Sequence, residues 1–352
     1  MNKMPSKTTK RFGLEMLFLV VLIAATFYFI LRGCDIRDIL ATIAAANPWM
    51  IFLALLSMFA YLFCGGASMA VLMQSMGAAM GPLRWLKYHL IEFFFSALTP
   101  SSSGGQPMEV LVMRDDGYKI TESTAVLLVV AVLFKFAMFV LFFSLYFFNF
   151  LFLHAQVVSM WFLFALGLTL NLALIVIIMM ALYAQRTIQR MCLWFVRLLA
   201  RMKLVKHSEA LIERLNNWLD GFHGCATFMR EHPWPVFRSF VITVFQRVFF
   251  LLIPYLVYRS LGLRAVTVWQ MMGLQLLLSI SVELMPLPGA VGASESAFLV
   301  LYDAIFGPKY VYSALMLSRG ISHYLVLVIS GIVVLGTRFA QSREKRMRLQ
   351  EE

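Results

Sequence analysis

Charge is what this 352-residue chain has least of: Asp, Glu, Lys and Arg together make up 14% of it, against 61% hydrophobic residues. So little charge cannot clothe a soluble globule, which implies an integral membrane protein. Acidic residues are the scarcer sign, 18 against 30 Lys and Arg, for a formal net charge of +12. A basic excess would suit nucleic acid, but here it gathers in the two tails and one central loop. That distribution excludes a basic folded face and fits membrane orientation, so no nucleic-acid partner is expected. The four cysteines, Cys34, Cys64, Cys192 and Cys225, include no close pair, which excludes metal-ligand spacing and a disulfide framework. Gly-x-Ser-x-Gly, His-Glu-x-x-His and the phosphate-loop lysine motif are missing, and the six histidines are dispersed. Asp115-Asp116 resembles the acidic pairs of metal-dependent transferases, but beside Arg114 and Lys119 it reads as a solvated turn. No metal or cofactor is expected.

What the chain has is apolar length. Runs at 12–31, 49–73, 122–150, 158–183, 236–258 and 311–336 are each long enough to cross a bilayer at about 1.5 Å per residue. Lys3, Lys7, Lys10 and Arg11 before the first run imitate a signal peptide, and Leu31-Arg32-Gly33-Cys34 faintly resembles a lipoprotein cleavage box. An arginine inside that box favours an uncleaved first helix.

Two further apolar regions, 86–114 and 266–306, are broken. The second contains Pro286-Leu287-Pro288-Gly289-Ala290-Val291-Gly292-Ala293-Ser294-Glu295. Proline lacks the amide hydrogen and glycine costs backbone entropy, so no helix continues through it, and opened backbone at membrane depth must be buried in protein or line a wet cavity. The first contains Pro100, Gly104, Gly105, Pro107 and Glu109, and Leu98, Pro100 and Glu109 fall 186 residues before Leu284, Pro286 and Glu295. Each break follows an apolar span and a short link at Gly77 or Gly262, and a long span follows it. This reads as an internal duplication, 49–183 and 236–337, joined by a basic loop at 184–235 and ending in a basic tail at 338–352.

Charge sets the orientation. With both tails, the link near Arg84 and Lys87, and the loop 184–235 on the cytoplasmic side, the loops at 32–48 and 151–157 lie outside and are nearly neutral, with Arg259 and Arg264 as exceptions. The repeats are then inverted, each broken region forming a re-entrant hairpin or, for the second, two short crossings. The expectation is an all-α integral membrane fold with six full transmembrane helices and two broken hairpins. In the central loop, Met191, Trp194, Phe195, Leu198 and Leu199 recur at helical spacing among Arg190, Arg197 and Arg201, which suits an interfacial helix or a plain positive-inside loop.

Ionisable groups inside spans cost about 2.5–3.5 kcal/mol each at a helix centre, so each needs a reason. Arg247, Lys135 and Arg319 lie within spans, Glu109 and Glu295 open the half-helices after the breaks, and His323 shares the Arg319 face at i+4. One reading is a polar midplane cavity in which the three cations and the freed amides near Gly104, Gly105, Gly289, Gly292 and Ser294 hold an anionic phosphate. The glutamates would then balance charge, accept a headgroup amine or exchange a proton. The other is that Glu109 pairs with Lys135, and Glu295 with Arg319, only to neutralise buried charge, with Ser294 and Glu295 as ordinary helix-start residues. Pro100, Pro107, Pro286 and Pro288 are the hinge candidates.

The Pro286 to Glu295 stretch followed by Arg319, together with the Pro100 to Glu109 stretch, resembles the lysylphosphatidylglycerol synthase transmembrane-region family, which includes the flippase half of MprF and many stand-alone bacterial proteins. The resemblance covers nearly the whole chain. Gly289-Ala290 departs from the family's double glycine, and no aminoacyl-transfer domain follows the last span, so lysylphosphatidylglycerol synthesis by this chain alone is not expected. The resemblance implies a flippase of the bacterial inner (cytoplasmic) membrane that moves a lipid between leaflets, with an anionic or aminoacylated phospholipid or an isoprenoid-linked lipid as its partner. Its rivals are a membrane enzyme or accessory subunit of envelope-lipid synthesis that holds a lipid phosphate without moving it, alongside a lipid-synthesis enzyme partner, and a scaffold acting through the 185–235 loop.

Overall fold

The computed structural model describes residues 35–183 and 227–337, with Trp194 and positions 21, 23–26, 28 and 32. Most of the 12–31 run, the proposed interfacial helix apart from Trp194, and the tail at 338–352 lie outside the described residues.

Among the described residues the named elements are all helices. They are α1 (Ile36–Ala44), α2 (Pro48–Ser75), α3 (Pro82–Leu98), α4 (Gly105–Asp115), α5 (Ile120–Phe148), α6 (Phe150–Ser159), α7 (Trp161–Tyr183), α8 (Pro233–Ser260), α9 (Val268–Val282) and α10 (Ala293–Arg319). α10 is interrupted at Gly307 (φ 69°, ψ 166°), restarts at Pro308, and runs on through a π-helical turn, Gly320–Tyr324, to Thr337. Local chemistry sets several starts. Asn47 accepts from the Trp49 amide (2.9 Å) ahead of Pro48, and Thr267 and Gln270 form a reciprocal capping box for α9.

Among the described residues, four helices are long and apolar enough to cross a membrane: Pro48–Ser75, Ile120–Phe148, Pro233–Ser260 and Ala293–Thr337. These contain the runs expected at 49–73, 236–258 and 311–336, and all but the last two residues of the run expected at 122–150. The run expected at 158–183 corresponds to α7, but it joins α6 at a bend of 103°, and a fifth span arises only if that bent pair is one crossing. The loop expected at 151–157 is helical, because Phe150–Ser159 contains neither glycine nor proline to stop it. In the first broken region the two half-helices are unequal, α3 being 17 residues long and α4 11.

Helix starts recur along the chain. α2, α3 and α4 begin at 48, 82 and 105, and α8, α9 and α10 at 233, 268 and 293, with α2 and α8 both 28 residues long. α2 packs most extensively against α8. Polar contacts fasten that pair within the apolar interior: Ser68 Oγ lies 2.8 Å from Ser239 Oγ and 3.0 Å from Thr243 Oγ1, and Ser57 Oγ donates to the Phe249 carbonyl (2.7 Å). α9 is buried on every side, through Met271, Leu274, Leu276, Leu277 and Ile280, and so forms the centre of the core. Gly167 lets α7 approach it, since a Cβ there would sit 2.3 Å from the Ile280 carbonyl oxygen.

Candidate functional site

The two broken regions, far apart in sequence, meet in space. Pro100 and Pro288 form an antiparallel bridge, and Ser101 Oγ donates to the carbonyls of Leu284 (3.3 Å) and Met285 (3.4 Å). Around this junction lies a cavity of about 460 Å³, lined from both halves of the chain by Glu109, Lys135, Arg247, Gly289, Ser294, Arg319 and His323 among others. Seven of the site residues expected from sequence therefore face one space. Glu295, Gly292, Gly104 and Gly105 do not line it.

Glu295 is instead enclosed, with 0% of its surface exposed. Arg319 Nε donates to its Oε1 at 2.8 Å and Tyr324 Oη donates to the same oxygen at 2.9 Å. The Gly292 amide (2.7 Å) and Ser294 Oγ (3.2 Å) donate to Oε2. The π-helical turn makes this possible: residues five apart align on such a turn, which brings Arg319 and Tyr324 to one carboxylate. Gly292 supplies the required backbone at φ 86°. The expected Glu295–Arg319 pair thus forms, while Arg319 Nη2 and His323 Nε2 are buried without a partner.

The expected Glu109–Lys135 pair does not form. Lys135 Nζ binds Glu283 Oε1 (3.0 Å) and Asn171 Oδ1 (2.9 Å), whereas Glu109, 3% exposed, has no hydrogen bond or ion pair among the described residues. The helix ends explain the exchange. Glu283 follows the last residue of α9, which packs against α5, and so comes within reach of Lys135. Arg247, 5% exposed, lies with Cζ 3.3 Å from the centre of the Phe134 ring, its Nε unpartnered and no carboxylate within ion-pair distance among the described residues. Near the first break, the Gly104 amide donates to Thr99 Oγ1 (2.8 Å), and a Cβ at Gly105 would sit 2.6 Å from the Glu92 carbonyl oxygen. The two glycines there serve close packing of α4 on α3.

The family model described as lysylphosphatidylglycerol synthase TM region matches residues 16–330, which contain every residue lining this cavity. The chain belongs to that family. A comparison with curated proteins gave no match. As a member of the lysylphosphatidylglycerol synthase transmembrane-region family with several apolar spanning helices, it is a multi-pass membrane protein of a lipid-related family. The turn at Gly289-Ala290 is strained at its second residue. Ala290 holds φ 52°, left-handed geometry that costs a residue with a Cβ about 1–2 kcal/mol.

Sequence reasoning missed Glu283, Glu92, His89, Gln246 and Asn171, of which all but Asn171 line the cavity. Glu283 was findable by the rule that found the others, as an acid inside an apolar region three residues before Pro286. A double-mutant cycle checks the pairing. Lys135→Ala and Glu283→Ala are expected to couple by about 1–3 kcal/mol in detergent unfolding, and Lys135→Ala with Glu109→Ala by under about 0.5 kcal/mol. The reverse ranking would overturn this assignment.

Proposed function

We propose that this chain is a lipid translocase rather than an enzyme, passing a phospholipid or lipid-linked headgroup between leaflets of a bacterial cytoplasmic membrane with both termini cytoplasmic. The observation that carries this reading is a cavity at the junction of the two breaks, holding unpartnered guanidinium nitrogens of Arg247 and Arg319. A guanidinium buried without a carboxylate is costly unless an anion arrives, and a phosphate headgroup is the anion a lipid carries.

In this mechanism the headgroup leaves water for the cavity while its tails stay in the bilayer. The recurring helix starts support two inverted repeats, 49–183 and 236–337, each with a broken region that re-enters as a hairpin or, for the second, makes two short crossings. Their exchange of contacts about the Pro100–Pro288 junction, with Pro286 keeping its flanking backbone from re-forming a helix and Pro107 seated in the first turn of α4, would open the cavity to each side in turn.

The test is leaflet transfer of fluorescent phosphatidylglycerol, phosphatidylethanolamine and an isoprenoid phosphate in proteoliposomes. Transfer above empty vesicles is expected for at least one. No transfer of any of them by folded protein, with turnover or retention of a lipid precursor in detergent instead, would replace this reading with a lipid-phosphate enzyme or accessory subunit.

A further inference from the structure

The cavity's charges do not balance. Lys135 is tied to Glu283, and Arg319 to Glu295, so these two pairs cancel. What is left is Arg247 against two carboxyls, Glu92 and Glu109, all three lining the same space. Glu92 has support: Ser96 Oγ donates to its Oε1 (2.9 Å) and His89 Nδ1 lies 3.6 Å from its Oε2. Glu109 has none among the described residues.

Each helix facing the cavity presents its own titratable groups. α2 brings Tyr61 and α3 brings His89 and Glu92, while α5 and α9 bring Lys135 and Glu283, which are already joined. α8 brings Arg247, stacked on Phe134, and the π-helical turn region brings Arg319 and His323. The cations on α5 and α10 are therefore engaged elsewhere. A headgroup phosphate seated at Arg247 would raise the local anionic excess further, beside the buried Glu109 carboxyl, and burial strengthens the interaction between charges.

We propose that Glu109 is a proton-binding site, and that the proton it takes up crosses with the anionic headgroup, making the chain a proton-coupled lipid carrier. The step is a simple protonation. A carboxylate oxygen of Glu109 accepts H⁺ from water as the headgroup enters, and the same O–H bond breaks to return H⁺ to water when the cavity opens to the other side. By linkage, headgroup binding and proton binding favour one another equally. Glu109 is also well placed to respond to opening and closing. It lies one turn past Gly105, on the half-helix that begins at the first break, so any movement of that break changes its exposure. The proposal rests on the translocase reading and supplies its energy source.

The experiment uses proteoliposomes carrying fluorescent phosphatidylglycerol and a lumenal pH dye. For the native chain, a gradient of one pH unit is expected to shift the leaflet ratio by up to about tenfold for one proton per headgroup, and reversing the gradient should reverse the bias. The dye should report proton movement that depends on the labelled lipid. In Glu109→Gln, whatever its transfer rate, gradient response and lipid-dependent proton movement should both vanish, and Glu109→Asp should retain them. Native transfer with the same leaflet ratio under either gradient, and no change in lumenal pH, would overturn the proposal while leaving the translocase reading standing. A persistent gradient response in Glu109→Gln would also overturn it. Failure of the native chain to transfer any lipid removes the translocase reading first and this proposal with it.

Discussion

Arg319→Ala should destabilise the protein by about 3–5 kcal/mol, because removing one member of a buried ion pair strands the other. The stranded partner is Glu295, fully buried where α10 begins. The remaining donors, Tyr324 Oη, the Gly292 amide and Ser294 Oγ, soften the loss, which points to the lower end of that range. Non-additivity is the sharper expectation. Adding Glu295→Gln to Arg319→Ala removes the stranded charge and should restore part of the stability, so the double variant unfolds at a higher temperature than Arg319→Ala alone. Thermal unfolding in detergent, followed by tryptophan fluorescence, measures this. An Arg319→Ala variant that melts with the native chain, or a double variant no better than the single, would show that the pair does not hold this helix start in place.

Arg247→Met should do the opposite to stability and more to function. Arg247 is as deeply buried, but no carboxylate pairs with it among the described residues and its Nε has no partner. Methionine is of similar length, can lie on Phe134 as the guanidinium does, and carries no charge to desolvate. Stability should therefore hold or rise, by about 1–3 kcal/mol at most. Headgroup handling should suffer: losing a buried charge partner for a phosphate costs roughly 2–5 kcal/mol, so transfer at subsaturating lipid should fall by at least about 30-fold. A Met variant that transfers lipid normally would remove Arg247 from the pathway. One that unfolds would mean that Arg247 is structural and that the contrast with Arg319 is false.

This contrast was not legible in the sequence. Arg247 and Arg319 look alike there, each a mid-run arginine among apolar residues, and only their neighbours separate a satisfied guanidinium from an unsatisfied one. The same holds for the acids. Glu109 and Glu295 sit at matching offsets after matching breaks, yet one is unpaired among the described residues and the other receives four donors. The regular spacing of 26 and 24 residues to Lys135 and Arg319 suggested two parallel pairs. One of them was displaced by Glu283, which comes from a different helix.

By itself the sequence determined that this is a helical membrane protein, where four of its long apolar helices lie, and where backbone must open at Pro100 to Gly105 and Pro286 to Gly292. Those properties are local: apolar length sets a span, and proline and glycine break a helix whatever surrounds them. The tertiary structure decided that the two breaks touch at Pro100 and Pro288, that Lys135 takes Glu283, and that Arg247 and Glu109 are left facing a shared cavity without ion-pair partners among the described residues. Charge pairing acts across a few ångströms between helices, and which helices come that close is set by how their apolar faces pack, information spread over the whole chain rather than written beside each residue.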